Sequence, residues 1–574
     1  MRRFAALYAE LDASTATDAK VAALQRYLAS ADPADAAWGL YFLAGGKPRQ
    51  TVPTALLRAE ATALAGIPDW LFDTCYQAAG DLAETIAQVL PPPSRHSHLG
   101  LAAWLTDRLL PLRGAPADQQ SAALRGWWDE LQTDERFLLT KLIGGGFRVG
   151  VSRLLVQRAL AQHAGLDPKL VAQRLIGWTD ARQLPSAQRL QALLAPEGSG
   201  PPQSAGQTGQ PFPFFLAHAL DPGLDASAGD FDRVLGPLQD WQAEWKYDGI
   251  RAQIVRGSGQ VWIWSRGEEL VTDRFPEVAA LARNLPDGTV LDGELLVWSD
   301  GRPAPFNLLQ QRLNRKNVSK KLLADAPVQF IAYDVLAVHG ADVRSQPQHQ
   351  RRQHLQTLLA GGALLVSPLV QATGWAALAA LRAESRQRSV EGLMLKHRDA
   401  AYGSGRTKAD GVWWKWKIAP YTVDGVLIYA QAGHGRRAGL YTDYTFAVWS
   451  RPPADAAEAD AVLAAIARRE PAQPGALQLL AFAKAYSGLT DAEFKAVDQV
   501  IRANTLEKFG PVRSVRPTLV LELGFEGIAR SPRHKSGIAL RFPRMLRIRH
   551  DKPVHQADSL AALQALLSQN APPA

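Results

Sequence analysis

Between Pro196 and Pro211 the chain reads PEGSGPPQSAGQTGQP, sixteen residues without one large apolar side chain. Gly, Ser, Gln and Pro at this density cannot pack a core, so the run reads as a flexible linker between separately packed regions. On its N-terminal side the pattern is helical. Val21, Leu24 and Leu28 fall at i, i+3 and i+7, and Pro, Gly and Asp interrupt similar apolar patterns at helix-length intervals. The irregular spacing of these segments speaks against a solenoid repeat. Past the linker the period becomes strand-like. Ala252–Val255 and Val261–Trp264 flank Gly257-Ser258-Gly259 as in a hairpin, and further strands are expected at Thr289–Trp298, Val328–Val335 and Gly411–Ile418.

After Pro420 come short β-runs at Val423–Tyr429, Tyr444–Trp449 and Leu519–Leu523, with a helical insert expected from Asp455 to about Ala483. Strands at this spacing fit a small barrel, of which the OB-fold is one candidate. A chain of 574 residues exceeds one hydrophobic core. The expected division is an all-α domain over 1–195, a linker over 196–211, an α+β domain with mainly antiparallel sheets over 212–420, a β-barrel over 421–557 and a tail over 558–574.

Charge and cysteine content narrow the function. The net charge is +9, and eight Lys or Arg residues against one acid, Asp551, lie between Arg530 and Lys552. A basic balance favours a polyanionic partner, because neutralised phosphates release condensed counterions. Cys75 is the single cysteine, which excludes an internal disulfide and any zinc site built on several thiolates. No apolar run is long enough to cross a bilayer, and Glu10 and Asp12 interrupt the basic start before a signal-peptide core forms. A cytoplasmic protein without membrane contact is expected.

Three elements carry chemistry. In Glu244-Trp245-Lys246-Tyr247-Asp248-Gly249-Ile250-Arg251 a lysine opens a strand, followed by a carboxylate, a glycine and an arginine. An amine nucleophile must first lose its proton, which neighbouring cations and a metal ion favour. Gly249 permits close backbone approach, and Arg251 can hold a phosphate or ribose. In Lys415-Trp416-Lys417 the two lysines project to one face of a strand, where a triphosphate would relieve their repulsion. Glu294 and Glu391 sit in apolar strands, and a carboxylate there is costly unless it is paired or binds a metal ion. Each element alone also fits a charged strand or a simple ion pair.

Taken in order, these segments resemble the motifs of the covalent nucleotidyltransferase superfamily. Lys246-Tyr247-Asp248-Gly249-Ile250-Arg251 is similar to its K-x-D-G-x-R motif, and Ser265-Arg266-Gly267 to the short arginine motif that follows. Asp292-Gly293-Glu294, Tyr333-Asp334-Val335-Leu336, Glu391-Gly392 with Met394-Leu395-Lys396, and Lys415-x-Lys417 resemble the next four. Arg541-Phe542-Pro543-Arg544 through Arg549-His550-Asp551-Lys552 resembles the last motif of ATP-dependent DNA ligases. Phe137–Val151 is similar to the helix–turn segment of the helical DNA-binding domain in three-domain bacterial ligases, departing from it in the pair Gly145-Gly146.

The resemblance implies an adenylation domain followed by an OB-fold, and catalysis by AMP transfer from ATP to Lys246 and then to the 5′-phosphate of a nick in duplex DNA. It further implies Glu244, Arg251, Arg266, Glu294, Tyr333, Lys415, Lys417, Arg541, Arg544, Arg549 and Lys552 around the nucleotide, with Tyr333 stacking on adenine. Glu294 and Glu391 would hold Mg²⁺ or Mn²⁺. Arg148, Arg266, Arg312, Arg315 and Lys316 would meet DNA, encircled by a monomer. An NAD-dependent ligase, with its four-cysteine module, does not fit the single cysteine. An RNA ligase or capping-type enzyme, or a DNA-binding protein without catalysis, are the alternatives. The helical N-terminal region and the RFPR segment speak against the first, the full set of reactive side chains against the second.

Overall fold

The computed structural model describes residues 1–574 except 15, 47–49, 145–146, 148, 181–182, 197–208, 222, 227–228, 300, 314, 316–317, 408–411, 434–439, 474, 532–533 and 570–574. The expected linker, Gly145-Gly146, Arg148, Lys316 and Gly411 therefore lie wholly or largely outside the described residues. The chain forms two compact units. One gathers 1–53, 97–116 and 141–418; the other gathers 54–96, 117–140 and 419–574.

In the first unit, helices Arg2–Ala13, Thr17–Ser30 and Pro33–Leu43 bury one aromatic cluster. Phe4 stacks on Phe147 at 5.7 Å between ring centres and also meets Tyr27 and Phe42. Asp32 caps the third helix by accepting from the Ala34 amide, with Pro33 at its first position. Val21 and Leu24, expected on one helical face, are both buried.

Two sheets follow. The first contains β1 (Trp241–Tyr247), β6 (Val390–His397) and β7 (Trp413–Lys417), with the short strand His218–Ala219 outside β7. The second contains β2 (Ile250–Gly257), β3 (Gln260–Ser265), β4 (Thr289–Ser299) and β5 (Val328–Val338) in the order β3-β2-β4-β5. The β2–β3 hairpin pairs Val255 with Trp262 around the expected glycine turn. Helices Pro276–Ala282 and Gln348–Leu359 contribute Val278, Ala279, Leu355 and Leu359 to the core of the second sheet. The chain passes from the first sheet to the second through Asp248-Gly249. A Cβ on Gly249 would lie 2.3 Å from the Leu295 carbonyl oxygen, so no larger residue fits without moving backbone.

In the second unit, the Glu60–Arg125 ion pair (2.5 Å) joins helices Thr54–Ala65 and Ala117–Trp128. Its C-terminal part is a seven-stranded antiparallel sheet built on β8 (Tyr421–Ala432), β9 (Tyr441–Trp449) and β10 (Leu479–Ala485), completed by Thr505–Phe509, Val512–Val515, Val520–Phe525 and Arg544–Ile548. Two expectations are corrected here. The helical insert ends at Ala467 and the chain returns as β10, because Phe482 and Ala485 supply the apolar layer that a sheet position needs. The expected tail is instead a helix, Leu560–Gln569, whose Leu563 is fully buried in the sheet's core. No helix among the described residues is long and apolar enough to cross a membrane.

Candidate active site

The two sheets of the first unit divide the reactive side chains between them. The first sheet carries Glu244 and Lys246 on β1, Glu391 and Lys396 on β6, and Lys415 and Lys417 on β7. The second carries Arg251 on β2, Asp292 and Glu294 on β4, and Tyr333 on β5.

Register explains the meeting of Lys246 and Glu391. Strand β6 pairs with β1 at Val390↔Tyr247 and again at Leu393↔Trp245, with an irregularity between them at Glu391-Gly392. Such a bulge re-aims a side chain. Gly392 makes it possible, with φ of +139° and its Cα so close to β7 that a Cβ would lie 2.3 Å from the Trp416 oxygen. The Lys246 Nζ donates to Glu391 Oε2, and Lys417 Nζ lies 3.3 Å from the same oxygen. On β7 the period of two puts Lys415 and Lys417 on one face, opposite Met394 and Gly392.

The electrostatics follow from burial and this crowding. Burial pushes the Glu391 carboxyl upward, but Lys246 and Lys417 outweigh it and hold it below the ordinary range. Lys415 is pushed down by burial first, then by the charges of Arg406, Lys246 and Lys417. Glu294 is raised to about 8 by burial, which Lys246 and Arg251 offset only in part, while Asp292 and Glu391 add to the rise. Burial therefore dominates at one carboxyl and neighbouring cations at the other, moving the two in opposite directions.

Glu244 is 1% exposed and bonded by Lys396 Nζ at 3.1 Å, with Arg352 at 3.5 Å. Lys396 lies 4.6 Å from the ring centres of both Tyr333 and Trp413 and donates to the Tyr333 carbonyl oxygen at 3.0 Å. Arg251 is gripped by Asp292 at 2.6 and 3.2 Å, and donates to the Phe215 carbonyl at 2.6 Å. Arg266 is exposed, and its backbone amide donates to the Arg251 carbonyl at 2.9 Å.

Arg312 is a correction to the expected DNA-facing group. It is fully buried, donates to Glu277, to the Arg274 carbonyl at 2.6 Å and to the Ala326 carbonyl at 3.0 Å, and lies over the Phe275 ring. Its charge is used inside the domain. Arg315 is exposed. In the second unit Arg544 pairs with Glu526 at 3.1 Å, and Arg541 lies over the Phe542 ring at 5.0 Å. Arg549 and Lys552 both donate to Asp424, at 2.8 and 2.6 Å, and Arg549 also pairs with Asp551. These two cations hold strand β8 to the segment after Ile548.

Lys396, Arg352 and Tyr402 belong to the site's framework; of these the sequence marks only Lys396, as the end of the Glu391 segment, and assigns it no role. Lys396 carries the same signal as Glu391, a charge in an apolar strand. Arg352 and Tyr402 lie on a polar helix and in a loop, where no periodicity marks them.

A lysine engaged by a carboxylate, beside two further lysines on one face of a strand, is an arrangement that could receive a polyanion. Comparisons with known proteins agree. Residues 226–417 match the family model described as ATP dependent DNA ligase domain, 1–161 the DNA ligase N terminus and 460–552 the ATP dependent DNA ligase C terminal region. A probable DNA ligase of Anaeromyxobacter sp. (strain Fw109-5) is 32% identical, over 80% of this chain and 82% of its own. One from Koribacter versatilis is 29% identical, over 94% and 92%. One from Opitutus terrae is 31% identical over 98% of this chain, which spans 62% of that relative's length. A solved structure named Pmar-Lig_PreS3 shares the fold with a TM-score of 0.58 at 14% identity, covering 95% of this chain and 99% of its own. The chain belongs to the ATP-dependent DNA ligase family.

Proposed function

We propose that this protein seals 5′-phosphate/3′-hydroxyl nicks in duplex DNA through AMP carried on Lys246. The observation that supports this most is the Lys246–Glu391 contact with Lys417 on the same carboxylate oxygen and Lys415 beside it. In this reading Glu391 Oε2 receives the Nζ proton as the amine attacks. The amine then attacks the α-phosphorus of ATP; an N–P bond forms, a P–O bond breaks and pyrophosphate leaves. Lys415 and Lys417 neutralise charge that develops on the phosphates, while Arg251 holds the bound nucleotide. The AMP passes to the 5′-phosphate of the nick, and the 3′-hydroxyl displaces it.

The donor set suits a hard divalent cation, since Glu391 is held ionised and the Glu294 carboxyl is buried beside it without a fixed cationic partner of its own. Mg²⁺ or Mn²⁺, when bound, would be held by these oxygens and would offset phosphate charge. Tyr333 offers a ring face to adenine, and buried Glu244 an acceptor. Arg541 and Arg544, with Arg549 and Lys552 once released from Asp424, would serve the pyrophosphate. Arg266 and Arg315, with Arg148 and Lys316, would contact DNA phosphates, and binding should fall steeply with salt. We read the C-terminal sheet as an OB-fold, the domains as divided near residues 195–211 and 420, and the working form as a cytoplasmic monomer around the duplex.

Incubation with α-labelled ATP, GTP or NAD tests the reading. Label from ATP alone that survives denaturation, followed by ligation of nicked DNA, is expected. Label from GTP would favour a capping-type enzyme, and no label on a chain of unmodified mass would overturn catalysis.

A further inference from the structure

Tyr402 stands outside every motif, in the stretch between β6 and β7, yet its hydroxyl closes a ring of hydrogen bonds around Arg251. It donates to Asp292 Oδ2 at 2.6 Å and accepts from Arg251 Nη2 at 3.3 Å and from the Phe215 amide at 3.3 Å. Arg251 returns to Phe215 by donating from Nη1 to its carbonyl. One donor and two acceptor positions are all a phenol has, so the hydroxyl is saturated. Asp292 is fully buried and Tyr402 is 5% exposed, so the bonds to Asp292 and to the Phe215 amide are made away from water. Burial, reinforced by Asp292, raises the Tyr402 phenol well above its ordinary range, which keeps the proton needed for donation.

The ring also counts the donors of Arg251. Of five N–H groups, Nε is taken by Asp292, both on Nη2 by Asp292 and Tyr402, and one on Nη1 by Phe215. One N–H of Nη1 remains. We propose that Tyr402 is a positioning residue for nucleotide binding, which acts through Asp292 to fix the Arg251 guanidinium with that single N–H free for the nucleotide. This rests on the reading of Lys246 as the adenylated lysine. Without the hydroxyl, Asp292 loses its second donor and the guanidinium can turn, so nucleotide affinity weakens while the Lys246 step itself keeps its groups.

The test measures covalent labelling by ATP as a function of ATP concentration in wild type, Tyr402→Phe, Arg251→Ala and the double variant. Tyr402→Phe should raise the KM for ATP about tenfold, the size of one hydrogen bond to an ionised group, and change kcat less than about twofold. In the Arg251→Ala background the same substitution should change KM less than about twofold. Loss of folded protein would lower kcat and leave KM alone, so a folding defect does not imitate the expected result. An unchanged KM in Tyr402→Phe, a loss confined to kcat, or an equal KM effect with and without Arg251 would overturn the inference. Wild type that takes no label would instead overturn the underlying reading, and the inference with it.

Discussion

Glu391 and Asp424 each accept from two cations, but the company they keep differs. Around Glu391 stand Lys246 and Lys417, with Lys415 nearby, so cations outnumber anions. Around Asp424 stand Arg549 and Lys552, with Asp551 on Arg549 and Asp558 4.0 Å from Lys552, so anions outnumber cations by three to two. Asp424 is tied down further: its amide donates to Asp558 Oδ2 at 2.8 Å, and the Asp558 amide donates to its carbonyl at 3.0 Å. The first cluster lacks an anion and the second does not. A carboxylate with two cations is thus a reaction site in one place and a structural clasp in the other, and local charge balance separates the two.

Breaking each carboxylate should show opposite signatures. Glu391→Gln should slow labelling by about 10²-fold or more, as removal of a positioned proton acceptor does, with little change in melting temperature. Labelling at the wild-type rate would remove Glu391 from the chemistry. Asp424→Asn should cost about 2 kcal/mol of stability, because it removes the one buried acceptor that two cations share. Thermal unfolding at the wild-type temperature would show that the clasp contributes nothing.

Glu294 gives the comparison a pH axis. Its carboxyl is raised to about 8 in the folded chain, so the folded state holds that proton more tightly than the unfolded state. Its contribution therefore favours folding at low pH and is lost as pH climbs from the ordinary carboxyl range through about 8. Glu294→Gln should remove this loss, raising the melting temperature relative to wild type more at pH 9 than at pH 5. An equal shift at both would contradict the buried neutral acid. The smallest effect is expected from Lys415→Met, which relieves repulsion and should stabilise by about 0.5 kcal/mol at low salt, fading as salt is added.

Much of the site was legible because strands write their faces into the sequence. Lys415-x-Lys417 and the lone acids Glu294 and Glu391 could be placed from period two and apolar context alone. Arg312 could not, since an arginine on a short amphipathic helix looks the same whether it faces solvent or, as here, is buried against a half-buried glutamate. The helix at Leu560–Gln569 carries a signal in Leu560, Leu563 and Leu567, but one so short that it does not separate a packed helix from a tail. The alanine-rich stretch before Ala485 hid a strand, since alanine favours helix and only packing on the sheet decides otherwise. Tyr402 depends on partners 110 and 151 residues away, which no local pattern reports.

The most direct measurement is peptide mapping of the protein after incubation with ATP and a divalent metal ion. The account predicts one AMP attached to the peptide that contains Lys246, discharged when nicked DNA is added and absent in Lys246→Ala. AMP on another residue, or label retained in Lys246→Ala, would contradict it.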